Sequence, residues 1–129
     1  MVINTFNQEQ FIGDCLKGVI SQDLINQMKI LVIDDDAMNR EVMEAFLLSE
    51  DYDVLLASNV AKGLDLAHQY QPSAIILDVR MPDMSGYTVC EKLKQNAETK
   101  HIPIMIMTGF DSKEDFERGK SVGADEFLT

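Results

Sequence analysis

From Lys29 onward this chain keeps a rhythm that leaves little choice of fold: short, unbroken apolar runs alternate with longer segments of helical period. The runs are "KILVI", "DVLLA", "SAIIL", "IPIMIM" and "DEFLT". A strand with one face in water alternates apolar and polar residues, whereas a run that stays apolar suits a strand covered on both faces, as in a parallel sheet. The intervening segments supply the covers. "AMNREVMEAFLLS" gathers Val42, Met43, Phe46 and Leu47 on one helical face, and "NVAKGLDLAHQY" does the same with Val60, Leu64 and Ala67. "MPDMSGYTVCEKLKQN" turns helical after its Pro and Gly, with Val89, Cys90 and Leu93 facing inward. Ser58 can cap the second helix, and Asp111 with Glu114 three residues later reads as a capping box for the fourth. The pattern predicts five strand–helix repeats lacking the fifth helix, an α/β architecture spanning 29–129.

Residues 1–28 break the rhythm. Phe11, Ile12, Cys15, Leu16, Val19 and Ile20 recur at spacings of three and four, the pattern of an extra N-terminal amphipathic helix. A linker, or the end of a neighbouring domain, is the plainer reading of the same stretch. The full 129 residues suffice for a single domain with its own core. An apolar fraction of 46% beside 26% charged residues belongs to a globular chain, not a disordered one. No unbroken apolar run exceeds about five residues, far short of the roughly 20 of a membrane span. The start, "MVINTFNQEQ", lacks the basic and apolar regions of a secretory signal, so a cytoplasmic location without membrane contact is expected. Cys15 and Cys90 form no CxxC pattern and read as reduced, buried thiols. A formal net charge of −11 with no basic patch argues against direct nucleic-acid binding, although acidity also serves solubility alone.

Ligands of open parallel sheets bind outside the carboxyl ends of the strands, where strand order reverses. There the first run enters Asp34-Asp35-Asp36, and the third ends on Asp78. If those strands are neighbours, two or three carboxylates converge. Two such charges about 4 Å apart repel by roughly 4 kcal/mol at an effective dielectric near 20, which implies a cation. Oxygen donors from one or two carboxylates, completed by water and a phosphoryl group, describe Mg2+ better than zinc or calcium. The adjacent aspartates do not have the spacing of an EF-hand loop. Each residue also has a simpler role: a strand-end Asp is commonly a turn former, and Asp36 can cap the next helix. Thr108 closes the fourth run and would bring a hydroxyl to the same crevice, with Gly109 leaving space beside it.

In order and spacing, "ILVIDDD", "IILDVRMPDMSG", "IPIMIMTG" and "GADEFLT" resemble the receiver (CheY-like) domain of two-component response regulators, above all in the pattern formed by Asp78, Met81, Pro82 and Gly86. The resemblance implies a flavodoxin-like, doubly wound parallel sheet of strand order 2-1-3-4-5. It implies that Asp78 accepts a phosphoryl group from a histidine kinase or phosphotransfer protein. It also implies that Asp35, Asp78 and the Arg80 backbone carbonyl hold Mg2+, with Asp34 acting through water. Thr108 and Phe127 would then form the conformational switch. Phosphoryl transfer of this kind needs positioning and charge neutralisation more than covalent help, so the domain acts as a phosphoacceptor with self-catalysed chemistry at most. As a core aromatic in a strand, Phe127 has an ordinary alternative role.

The resemblance has departures. Receivers carry a Lys directly after a segment like "GADEFLT", and the sequence stops at Thr129. Lys113 and Lys120 fall in the fourth helix and do not replace it by motif. The expectation is a receiver truncated before that Lys, with weakened phosphoryl stabilisation; a non-switching interaction module is the alternative. Arg80 and Phe110 stand at the two positions that set phosphoryl lifetimes in the family. A magnesium-dependent phosphatase would need a second Asp where Arg80 stands. The uncovered sheet face is expected to take the segment around Gln8 to Ile20, or a partner in a homodimer.

Overall fold

The computed structural model describes residues 28–107 and 113–128. Five parallel strands, β1 (Lys29–Ile33), β2 (Asp53–Ala57), β3 (Ala74–Asp78), β4 (Ile104–Met107) and β5 (Glu126–Leu128), form one sheet in the order β2-β1-β3-β4-β5. The helices between them are α1 (Ala37–Ser49), α2 (Val60–Tyr70), α3 (Gly86–Gln95) and α4 (Lys113–Ser121). The expected α/β class, strand order and flavodoxin-like winding are those observed. The N-terminal segment, Thr108 and the capping box at Asp111 lie outside the described residues.

The apolar runs have two faces to fill. Leu31, Ile33, Ile75, Leu77, Ile104 and Ile106 point to the side of α2 and α3, meeting Val60, Ala67, Val89, Cys90 and Leu93. Ile30, Val32, Ala74, Ile76, Met105 and Met107 point the other way, into a cluster with Met43 and Leu47 of α1. Burying each of these larger side chains stabilises the fold by roughly 1.5–3 kcal/mol, so continuous runs are the physical signature of a sheet covered on both sides. The predicted helix faces agree: Met43, Leu47, Val60, Ala67, Val89, Cys90 and Leu93 are buried, while Val42, Phe46 and Leu64 are partly so. Cys90 is a free, buried thiol whose pKa burial pushes up to about 11.

The caps differ in one place. Asp36 caps α1, its Oδ1 accepting from the Met38 and Asn39 amides at 2.8 and 3.4 Å. The cap of α2 is Asn59 rather than Ser58: Asn59 is the residue with extended backbone immediately before the helix, and its Oδ1 reaches the Lys62 amide at 2.8 Å. Ser58 stands one residue too early for that geometry. At the amino ends of β4 and β5, the Lys94 ammonium donates to the Ile102 carbonyl and to Asp125 Oδ2, both at 2.9 Å. Among the described residues, no helix is long and apolar enough to cross a membrane.

Candidate functional site

Strand β1 lies between β2 and β3, so the chain winds in opposite directions from it and a crevice opens at the carboxyl ends of β1 and β3. Ile33 is in register with Leu77, and the next residue on each strand path is an aspartate, Asp34 and Asp78. Asp34, Asp35 and Asp78 each offer a carboxylate oxygen such that all three atoms lie within 4.8 Å of one another. Asp36, the last of the triplet, is turned away to cap α1.

Asp34 is 1% exposed. Its Oδ1 accepts the Asp36 amide at 2.9 Å, and its Oδ2, also buried, meets no hydrogen-bond donor among the described residues. The Arg40 guanidinium donates to the backbone carbonyl of Asp34 at 2.8 Å rather than to the carboxylate. Burial raises the Asp34 pKa, while hydrogen bonds from the Asp36 amide and the Asn39 side chain pull it down. Asp78 is half-buried, and its pKa is pushed up to about 7, first by burial and then by the negative charge of Asp34. The Arg80 amide, donating to Asp78 Oδ1 at 3.2 Å, works in the opposite direction.

These carboxylates fit a hard divalent cation. A buried carboxylate oxygen without a donor carries a desolvation cost of about 1–3 kcal/mol or more, and a cation relieves that cost and the repulsion between neighbours together. All-oxygen donors with exposed Asp35 at the rim match magnesium, which retains several waters, better than a closed zinc site.

The loop from Val79 to Ser85 carries Arg80 and is fixed at both ends. The Val79 amide donates to the Met107 carbonyl at 3.1 Å, and the Gly86 amide donates to the Val79 carbonyl at 2.9 Å. Gly86 opens α3 so close to β3 that a Cβ there would stand 2.7 Å from Val79 Cα, inside contact distance. Only glycine permits that approach. Midway along the loop, Asp83 Oδ2 accepts the Val60 amide at the start of α2, at 3.2 Å. Sequence reasoning missed Asp83, Arg40 and Asn39; for Asp83 the partner is 23 residues away, and no local pattern marks such a pair. Of the predicted switch pair, Thr108 lies outside the described residues, while Phe127 is half-buried in β5, opposite Ile106, with its ring on Gly119 of α4.

Comparison with known proteins gives a concordant picture. Residues 30–129 match the family model described as the response regulator receiver domain. Response regulator PleD of Caulobacter vibrioides is 43% identical over 101 residues, covering 78% of this chain and 22% of that protein. The DNA-binding dual master transcriptional regulator RpaA of Synechocystis is 38% identical over 101 residues, covering 78% of this chain and 42% of that protein. The chain therefore spans less than half the length of these two relatives. The crystal structure of the chemotaxis protein CheY4 of Vibrio cholerae superposes with a TM-score of 0.76 at 30% identity, covering 79% of this chain and 85% of that one. A match of this extent, on a sheet wound in this order, places the chain in the response regulator receiver-domain family of two-component signalling.

Proposed function

We propose that this receiver accepts a phosphoryl group on Asp78 from a phosphohistidine of a kinase or phosphotransfer protein, with Mg2+ held at the same pocket, and changes conformation in response. The observation that carries the reading is the convergence of Asp34, Asp35 and Asp78 with a buried Asp34 oxygen that has no donor among the described residues. A structural pocket would pair that oxygen; a phosphoacceptor pocket leaves it for ligands.

In this reading the Asp78 carboxylate attacks the donor phosphorus. The O–P bond forms, the P–N bond to histidine breaks, and the imidazole nitrogen leaves with the electron pair. Asp78 must be ionised to attack, yet its pKa near 7 leaves much of it protonated at neutral pH. Asp35, Asp78 and the Arg80 carbonyl would hold Mg2+, with Asp34 acting through water; the bound ion supplies charge neutralisation between carboxylate and phosphoryl group. Thr108 and Phe127 are the proposed switch, a two-state element biased by the new charge.

The test is incubation with magnesium chloride and acetyl phosphate, read by intact mass and by acid–base lability of the adduct. Asp78→Asn is the control, beside a version carrying a lysine after Thr129. A mass increase of one phosphoryl group that Asp78→Asn abolishes supports the proposal. Absence of an Asp78-dependent adduct in both versions would leave only a docking role.

A further inference from the structure

The loop bearing Arg80 has its ends tied to β4 and α3, and its middle is tied to a third element. Asp83 stands five positions beyond Asp78, and its Oδ2 accepts the amide of Val60, the first residue of α2. That helix already has its own cap in Asn59, which serves the Lys62 amide. The Asp83 bond is therefore an additional one, made from another part of the chain to a different amide at the start of the helix. A carboxylate at the positive end of a helix is stabilised by the helix dipole as well as by the hydrogen bond, so the contact is stronger than that of a neutral acceptor.

Its geometry serves the loop more than the helix. Met81 is buried in the core, while Pro82 and Asp83 are exposed. Between Met81 and Ser85, whose Oγ caps α3, Met84 packs partly against the core, and the exposed Pro82–Asp83 tip is tied to α2 through the Val60 contact. We propose that Asp83 is a positioning residue: its bond to Val60 holds the β3–α3 loop in the form that presents Arg80 beside Asp78, and so sets the affinity of the pocket for magnesium. This rests on the reading of Asp34, Asp35 and Asp78 as a magnesium site.

The test is calorimetric titration of the full chain with magnesium chloride, in parallel with thermal unfolding and amide exchange at Val60. Asp83→Ala weakens magnesium binding about tenfold, as loss of a residue supporting metal ligands commonly does, and speeds exchange at Val60. Asp83→Asn, whose amide oxygen still accepts, restores most of the affinity. Asn59→Ala removes the helix's own cap and lowers the unfolding temperature, yet leaves magnesium affinity within about twofold because the loop tie is intact. Unchanged affinity in Asp83→Ala overturns the proposal, as does an equal loss in Asn59→Ala, which would mean that Asp83 acts only through helix stability. If the parent chain binds no magnesium, or binds it equally after Asp34→Asn, the site reading itself has failed and the proposal falls with it.

Discussion

At the amino ends of β4 and β5, Asp125 Oδ2 accepts the Ile104 amide at 2.8 Å and the Lys94 ammonium at 2.9 Å. The same ammonium also donates to the carbonyls of Ile102 and Lys100, at 2.9 and 3.3 Å. At the opposite ends of β1 and β3, three carboxylates crowd together and the buried Asp34 Oδ2 meets no donor among the described residues. The Arg40 guanidinium bonds the Asp34 backbone carbonyl. Both regions sit at the rim of one sheet, and both place an Asp beside the end of a strand. One end gives its carboxylate two donors, so the fold is able to neutralise such a charge. The other end accumulates charge that folding alone would disfavour, and under the proposed function that asymmetry separates a structural carboxylate from one retained for chemistry.

The comparison breaks most decisively under matched substitutions. Asp34→Asn should lower magnesium affinity about a hundredfold, roughly 2.7 kcal/mol, while the metal-free protein gains stability at neutral pH because repulsion with Asp78 is removed. Calorimetry and urea unfolding in chelator read the two effects separately. A metal-free protein destabilised by Asp34→Asn would mean that the pocket is structural. Next in size is Lys94→Met, which keeps the length of the side chain and deletes its charge. It takes the ammonium from the Ile102 carbonyl, leaves Asp125 with the Ile104 amide alone of its two donors, and should cost about 2 kcal/mol of unfolding free energy, with magnesium affinity unchanged. A neutral result there would put the two ends on an equal footing.

Much of this was legible in advance, for reasons that differ by residue. The runs "KILVI" and "DVLLA" predict their strands residue for residue, because double-sided burial forces a continuous apolar pattern on the chain. Asp34 and Asp78 were visible because a strand end is a definable place in a sequence. The roles within the Asp triplet were not: only the backbone turn shows that Asp36 serves the α1 amides while Asp34 turns inward. Ser58 and Asn59 are both good caps, and which one serves depends on where extended backbone ends. The ties of Asp83 to Val60 and of Lys94 to Asp125 join positions far apart in sequence, whose meeting is decided by the packing of helices on the sheet.

A smaller effect concerns the region between α4 and β5, where Phe127 is proposed to switch. Gly119 is buried in α4, and a Cβ built there would collide with the tip of the Phe127 ring at Cζ. Alanine in place of glycine within a helix ordinarily stabilises by about 1 kcal/mol. Here the ring must leave its seat, so Gly119→Ala should instead cost about 1–2 kcal/mol. In a Phe127→Ala background the sign should reverse, and Gly119→Ala should stabilise. Urea unfolding of the four proteins measures the coupling; additive effects would show that the ring is not held against Gly119.

The smallest expected effect is a pH dependence that the two ends of the sheet should not share. The Asp78 pKa is raised from 3.8 to about 7 in the folded protein, and burial raises that of Asp34 as well. Between these limits the folded state binds more protons than the unfolded chain, so the linked stability is fully present below about pH 4 and is lost as pH rises towards 7. Asp78 is only half-buried and solvent screens it, so the loss attributable to it is on the order of 1 kcal/mol. In chelator, the urea midpoint of the parent protein should therefore fall relative to that of Asp78→Asn between pH 5 and about 7.5. Saturating magnesium should flatten or invert the difference, because the ion favours ionised carboxylates and its binding releases protons. A midpoint difference that stayed constant in chelator would mean that Asp78 titrates normally and that the repulsion at the carboxyl ends of β1 and β3 is already relieved by the fold.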